Sequence, residues 1–149
     1  MFNVLVIDDD KNIRTLISAI LKAENFSVLT ATNGEDAFVV MDKNHVDLII
    51  VDIMMPKMNG YEFTETLRNS YPELPVLMIS AKQLSEDRKK GFLVGIDDFM
   101  TKPIDNEELV LHVKALLRRA KIASEKRICI GSVVLDYNSL TVSKKDLII

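Results

Sequence analysis

Short unbroken apolar runs alternate along this chain with stretches whose apolar residues recur every three to four positions, and that alternation leaves few folds open. Residues 4–7, Val-Leu-Val-Ile, are continuous and mostly β-branched, the pattern of a strand buried on both faces. Ile13, Leu16, Ile17, Ile20 and Leu21 then recur at helical spacing behind Asp10, a residue suited to cap a helix. The type keeps switching. Strands are predicted over Ser27–Ala31 and residues 46–51, 75–79 and Asp98–Thr101, and helices over Gly34–Lys43 and residues 60–69, 84–94 and 105–119. Five strand–helix units joined by connections too long for hairpins predict an α/β fold, a parallel sheet with helices on both faces, within residues 1–120.

Beyond Arg119 the texture changes. Residues 121–127 are polar and basic and read as a linker, while residues 128–149 read as short strands, beginning with Ile128-Cys129-Ile130, separated by turns such as Gly131-Ser132. So few residues cannot build a core of their own, and this short all-β segment reads as the opening of a second domain that is cut short.

The balance of the 149 residues, 48% hydrophobic and 28% charged, excludes a disordered chain. A net charge of −3 implies neither a nucleic-acid nor a membrane partner by itself. Acid is concentrated early: residues 1–81 hold six basic and twelve acidic residues, whereas residues 82–127 hold eleven and eight. Cys129 is the single cysteine, so no internal disulfide forms, and no signal peptide or bilayer-length apolar run is visible. These features predict a cytoplasmic protein with no membrane partner.

In an open parallel sheet, ligands bind beyond the carboxyl ends of the strands. The residues at those ends form a coherent set: Asp8 and Asp9 after the first strand, Asp52 after the third, Ser80 after the fourth, and Lys102 ahead of Pro103 after the fifth. Carboxylates so placed repel one another unless a cation neutralises them. With oxygen ligands only, and no His or Cys near, Mg2+ fits better than Zn2+; His45 falls at the opposite end of its strand. A carboxylate beside a divalent cation and a lysine can attack phosphorus, and Asp52 is the central candidate. Pro56 and Asn59-Gly60 turn the following loop, which can aim the Met54 carbonyl at the metal.

Val6-Ile7-Asp8-Asp9-Asp10, Asp52-Ile53-Met54-Met55-Pro56 with Asn59-Gly60, Ser80-Ala81-Lys82, and residues 95–103 with Asp97, Asp98, Phe99, Lys102 and Pro103 together resemble the receiver domain of two-component response regulators, over residues 2–120. The resemblance implies a flavodoxin-like strand order 2-1-3-4-5. It implies that Asp52 accepts a phosphoryl group from a phosphohistidine of a sensor histidine kinase, with Mg2+ held by Asp9, Asp52 and the Met54 backbone carbonyl, and by Asp8 through water. Lys102 would pair with the phosphoryl oxygens, Ser80 would bond one of them, Phe99 would be the aromatic switch, and Lys102-Pro103 would be a cis peptide. On this reading the protein is a phosphoacceptor, not an enzyme, beyond slow self-dephosphorylation. Phe99 stands where Tyr is commoner and Ile104 where an aromatic usually follows Lys-Pro. The bulk of Met54 and Lys82 implies slow hydrolysis of the acyl phosphate.

The charges of the last two helices resemble those of the OmpR/PhoB winged-helix subfamily, which forms a symmetric dimer through the fourth helix, fifth strand and fifth helix. The implied cross-pairs are Arg88 with Glu108, Asp97 with Arg119, and Asp98 with His112. His112 replaces an Arg there and cannot offer its bidentate fork, so dimerisation is expected to strengthen as pH falls through the histidine range. Residues 128–149 resemble the small sheet that opens a winged-helix DNA-binding domain whose recognition helix is missing. DNA binding and transcription regulation are therefore expected only through the missing part of the effector domain. A stand-alone receiver acting by protein contacts, a phosphorylation-independent pseudo-receiver and an aspartyl-phosphate phosphatase are the alternative readings. Met54 stands where such phosphatases usually carry a second carboxylate.

Overall fold

The computed structural model describes residues 1–55, 57–81, 89–90 and 94–133, with side chains described as far as residue 122. Five strands, β1 (Asn3–Ile7), β2 (Ser27–Ala31), β3 (Leu48–Asp52), β4 (Val76–Ser80) and β5 (Asp98–Thr101), form one parallel sheet in the order β2-β1-β3-β4-β5. The predicted class and strand order both hold. Helices α1 (Lys11–Ala23), α2 (Gly34–Lys43) and α3 (Gly60–Leu67) connect them, and a C-terminal helix spans Asn106–Val133. Most of the helix predicted over residues 84–94 lies outside the described residues; Lys89, Lys90 and Val94 are helical.

Central strands β3 and β4 are buried along their whole length, which is why their sequences show no polar alternation. Leu5, Ile7, Ile49, Val51 and Met78 pack with Ala37, Met41, Phe63 and Leu67 in one cluster, where the Phe38 and Phe63 ring centroids lie 4.9 Å apart. Alternation along the strands sends Val4, Val6, Leu48 and Ile50 to the other face. Ile17, Leu21, Leu109 and Val113 are buried outside the first cluster.

Helix starts are fixed by side-chain caps that satisfy otherwise orphaned backbone N–H groups. Asp10 Oδ1 accepts from Asn12 N at 2.8 Å, as its position in the sequence predicts, and Asn33 Oδ1 accepts from Asp36 N at 2.8 Å. At α3 the cap is reciprocal: Asn59 Oδ1 accepts from Glu62 N at 2.9 Å, and Glu62 Oε1 accepts from Asn59 N at 3.0 Å. Strand β3 begins two residues later than predicted because Asp47 turns its carboxylate back to accept from Asn3 N at 2.8 Å.

The chain divides into two compact units, Met1–Leu116 and Leu117–Ile149. The sheet and α1–α3 belong to the first. In the second, the residues expected to be a linker (121–127) and a first strand (Ile128-Cys129-Ile130) are helical instead. From residue 106 to residue 130 the sequence has neither Gly nor Pro to stop a helix. Each further residue of a helix closes its own hydrogen bond, whereas a strand needs a partner from elsewhere in the chain. The strands expected from residue 134 onward lie outside the described residues. No helix among the described residues is long and apolar enough to cross a membrane.

Candidate functional site

Register brings the strand-end residues to one level. Ile7 pairs with Val51, Asp52 with Ile79, and Ser80 with Thr101, so Asp8, Asp52, Ser80 and Lys102 fall at adjacent positions along the carboxyl rim. Carboxylate oxygens of Asp8, Asp9 and Asp52 all lie within 4.8 Å of one another. Asp8 and Asp52 are buried, Asp9 is exposed, and Ser80 is fully buried. Lys102 reaches into the cluster, its Nζ 3.4 Å from both Asp8 Oδ2 and Asp52 Oδ1. Its backbone N donates to the Ser80 carbonyl at 2.8 Å, and the Lys102-Pro103 peptide is cis.

Two local devices hold the carboxylates. The turn after β1 is closed by Asp10 N donating to Asp8 Oδ1 at 2.9 Å and by Arg14 Nη1 donating to the Asp8 carbonyl at 2.7 Å. Behind Asp52, the start of α3 packs directly on the strand backbone. Gly60 N donates to the Ile53 carbonyl at 2.9 Å, and a Cβ at Gly60 would stand 2.7 Å from the Asp52 carbonyl oxygen. The glycine is needed for this close approach, a role that its place in a predicted turn did not reveal.

Burial pushes the Asp52 carboxyl up from 3.8 to about 6, and repulsion from Asp8 adds to the rise while Lys102 opposes it. Asp8 is raised for the same first reason, burial, against the Asp10 backbone bond and Lys102. Burial alone would lower Lys102, but Asp52 and Asp8 outweigh it and hold its ammonium above the ordinary range. One ammonium thus faces three carboxylates. The donor set is all oxygen, close-set and short of positive charge, which fits a hard divalent cation such as Mg2+.

Phe99 is buried in the core cluster, and its backbone N donates to Asp98 Oδ1 at 2.8 Å. Met54 lies two residues past Asp52 with its side chain open to solvent. Pro56, Lys82 and Arg88 lie outside the described residues. Of the charges expected to cross a dimer face, Asp97, Asp98, Glu108 and His112 have partners within the chain. Asp98 and His112 are paired in one molecule, through Oδ2 and Nδ1, and His112 Nε2 lies 3.8 Å from Glu108 Oε2. The sequence expectation pairs Asp98 with the His112 of a second copy; within one chain the two side chains are already in contact. Asp97 Oδ2 accepts from Arg68 Nη2 at 3.0 Å and from Val76 N at 2.8 Å, and Arg119 is exposed.

Arg68 had no place in the sequence reading. At the end of α3 it donates to the Gly95 carbonyl from Nε and Nη2 (2.9 and 2.6 Å), and to the Tyr71 and Leu74 carbonyls from Nη1 (2.8 and 2.7 Å). Arg14 escaped notice for the same reason: side chains that bond backbone carbonyls leave no residue-type spacing to read.

Residues 4–114 match the model of the response regulator receiver domain family. Among curated proteins, the heme response regulator HssR of Staphylococcus epidermidis is 37% identical over 149 residues, and that of Staphylococcus aureus is 38% identical. Each alignment covers 99% of this chain and 66% of the relative, so the chain spans just under two thirds of the length of these proteins. Among solved structures, the Vibrio cholerae chemotaxis protein CheY4 is 32% identical with a TM-score of 0.75, covering 78% of this chain and 98% of that one. NtrX of Brucella abortus is 29% identical with a TM-score of 0.80, covering 84% of this chain and 29% of that one. With the strand order, the acidic rim and the lysine already in place, these similarities identify the chain as a member of the response regulator receiver domain family.

Proposed function

We propose that Asp52 is the phosphoacceptor of a two-component response regulator, taking its phosphoryl group from a phosphohistidine of a sensor histidine kinase. The observation that carries this reading is the approach of Lys102 Nζ to 3.4 Å from Asp52 Oδ1 inside a ring of carboxylates. An Asp52 oxygen attacks phosphorus as the P–N bond to the histidine breaks, and the freed imidazole takes a proton from solvent. Lys102 follows the incoming phosphoryl oxygens, exchanging a carboxylate partner for a more highly charged one. The buried Ser80 hydroxyl donates to one phosphoryl oxygen, and Phe99, already packed inward, responds to the movement of that strand end. Asp9, Asp52 and the Met54 carbonyl, with Asp8 through water, are the residues that would hold Mg2+, whose charge when bound offsets that of the phosphoryl oxygens.

On this reading Arg88, Asp97, Asp98, Glu108, His112 and Arg119 form the face through which the phosphorylated protein dimerises, with Arg88 facing Glu108, Asp97 facing Arg119 and Asp98 facing His112 of the second copy. In a parent protein of the relatives' length, that dimer serves a DNA-binding effector domain and transcription regulation in the cytoplasm. Incubation with acetyl phosphate tests the reading. Mg2+-dependent phosphorylation, abolished by chelation and followed by a shift to dimer on size exclusion, is the expected result. A protein that stays unmodified with Mg2+ present would overturn it.

A further inference from the structure

We propose that the groove between α1 and the edge strand β2 is a binding site for a linear oligophosphate, an inference that does not rest on the phosphoacceptor reading above. Residues 1–81 hold six basic residues against twelve acidic ones, and three of those six, Lys11, Arg14 and Lys22, line this one groove of about 480 Å3. Thr15, Ser18 and Thr30 bring hydroxyls to it. Among the described residues no carboxylate and no aromatic ring lines it, and the ion pairs engage Lys57, Arg68, Lys102 and Lys114 but none of these three cations. Positive charge gathered without a partner in an acidic stretch of chain calls for an anion from outside.

Helical spacing sets the shape of the site. Lys11, Thr15, Ser18 and Lys22 recur at i, i+4, i+7 and i+11, so one stripe of α1 carries them, and the helix rise separates the two lysines by about 16 Å along its axis. Thr30, exposed on β2, supplies the wall away from the helix. Cations at both ends of a groove fit an anion charged along its length better than a single phosphate or carboxylate. Lysine ammonium groups meet phosphate oxygens as point charges, and the hydroxyls donate to further oxygens. With no ring on which a base could stack, recognition rests on the phosphate chain itself.

Arg14 is held ready for such a ligand. It is half-buried, and its Nη1 donates to the Asp8 carbonyl at 2.7 Å, so a long side chain is already fixed and loses little further freedom on binding. A guanidinium carries five N–H donors, and this bond uses one of them.

Calorimetric titration of the full chain with inorganic tripolyphosphate, in metal-free buffer at low ionic strength, tests the site. Saturable binding that weakens as salt is raised is expected, with amide chemical shifts moving at Ser18 and Thr30. Lys11→Gln combined with Lys22→Gln should weaken binding by at least about tenfold. Arg118→Gln combined with Lys121→Gln removes the same charge from the C-terminal helix and should leave affinity within about twofold of wild type. No saturable binding at millimolar tripolyphosphate, equal losses in the two double variants, or shifts confined to residues 118–127 would overturn the proposal. So would a polyglutamate peptide that binds as tightly, since the groove would then take acidic chains of any kind. ATP carries the same three phosphates and should bind no more than about tenfold tighter than tripolyphosphate; a larger gain would show the base being read and contradict recognition by the phosphate chain. Should the Lys11, Lys22 variant fail to fold, the Ser18 and Thr30 shifts of the wild type decide the question.

Discussion

Lys102 Nζ stands 3.4 Å from Asp52 Oδ1, yet this one cation does not bring the aspartate back to its ordinary acidity, because burial and the neighbouring Asp8 push its carboxyl up to about 6. The acidic rim therefore stores unfavourable charge in the folded protein, and a bound cation or a phosphoryl group meets a site already arranged for it.

The first prediction is a stability effect. A carboxyl at 3.8 when unfolded and about 6 when folded is equally protonated in both states below pH 3.8. Between those values the unfolded chain releases the proton first, so stability is lost as pH rises, and the full penalty is present above pH 6. Asp52→Asn removes it. In metal-free buffer at pH 7.5 the variant should be more stable than wild type by about 2–3 kcal/mol, and the gain should shrink towards zero near pH 4. Urea unfolding at the two pH values checks this; a variant of unchanged or lower stability at pH 7.5 would contradict it.

Removing the lysine should act in the opposite sense. In Lys102→Met the Asp52 carboxylate loses the cation that lowers its pKa, so at pH 7 more of it is protonated and unable to attack phosphorus. Phosphorylation by acetyl phosphate should slow by at least about tenfold at pH 7 and recover in part at pH 8.5. The initial rate against pH, measured for both proteins, reads the effect directly, and parallel profiles would contradict it.

Gly60→Ala probes the seat of the phosphoacceptor. The added Cβ would press on the Asp52 carbonyl oxygen at 2.7 Å, and that atom belongs to a strand with neighbours on both sides. A cost of about 1–3 kcal/mol is expected from such overpacking, with a loss of phosphorylation rate in whatever protein folds. Thermal unfolding of Gly60→Ala beside wild type gives the answer.

Arg68 makes a separate prediction, away from the acidic rim. Five hydrogen bonds tie its guanidinium to the carbonyls of Tyr71, Leu74 and Gly95 and to Asp97. Arg68→Ala leaves part-buried acceptors unpaired and should cost about 2–3 kcal/mol, while Arg68→Lys, with no planar fork, should restore less than half of that. Denaturant midpoints for the three proteins decide it.

Much of this molecule is legible from its residues, for identifiable reasons. The unbroken runs in β1, β3 and β4 disclose a sheet covered on both faces, and because ligands gather at strand ends, Asp8, Asp9, Asp52, Ser80 and Lys102 could be listed before any coordinates. Register then brings them together. What escaped lies in interactions with backbone: Arg14 on the Asp8 carbonyl, Arg68 on three carbonyls, and Gly60 against the Asp52 carbonyl depend on where the main chain passes, which spacing does not encode. Sequence pairs Asp98 with His112 but does not say which copy supplies each member, and the fold already brings the two together within one chain. The helix through residues 121–133 was missed because an apolar triplet such as Ile128-Cys129-Ile130 reads as a strand only if something pairs with it.

The central claim is that Asp52 itself carries the phosphoryl group. Intact mass after incubation with acetyl phosphate and Mg2+, for wild type beside Asp52→Asn, tests it most directly. The account predicts a gain of one phosphoryl group in the wild type and none in Asp52→Asn. A phosphoryl group on the asparagine variant, or none on the wild type, would contradict it.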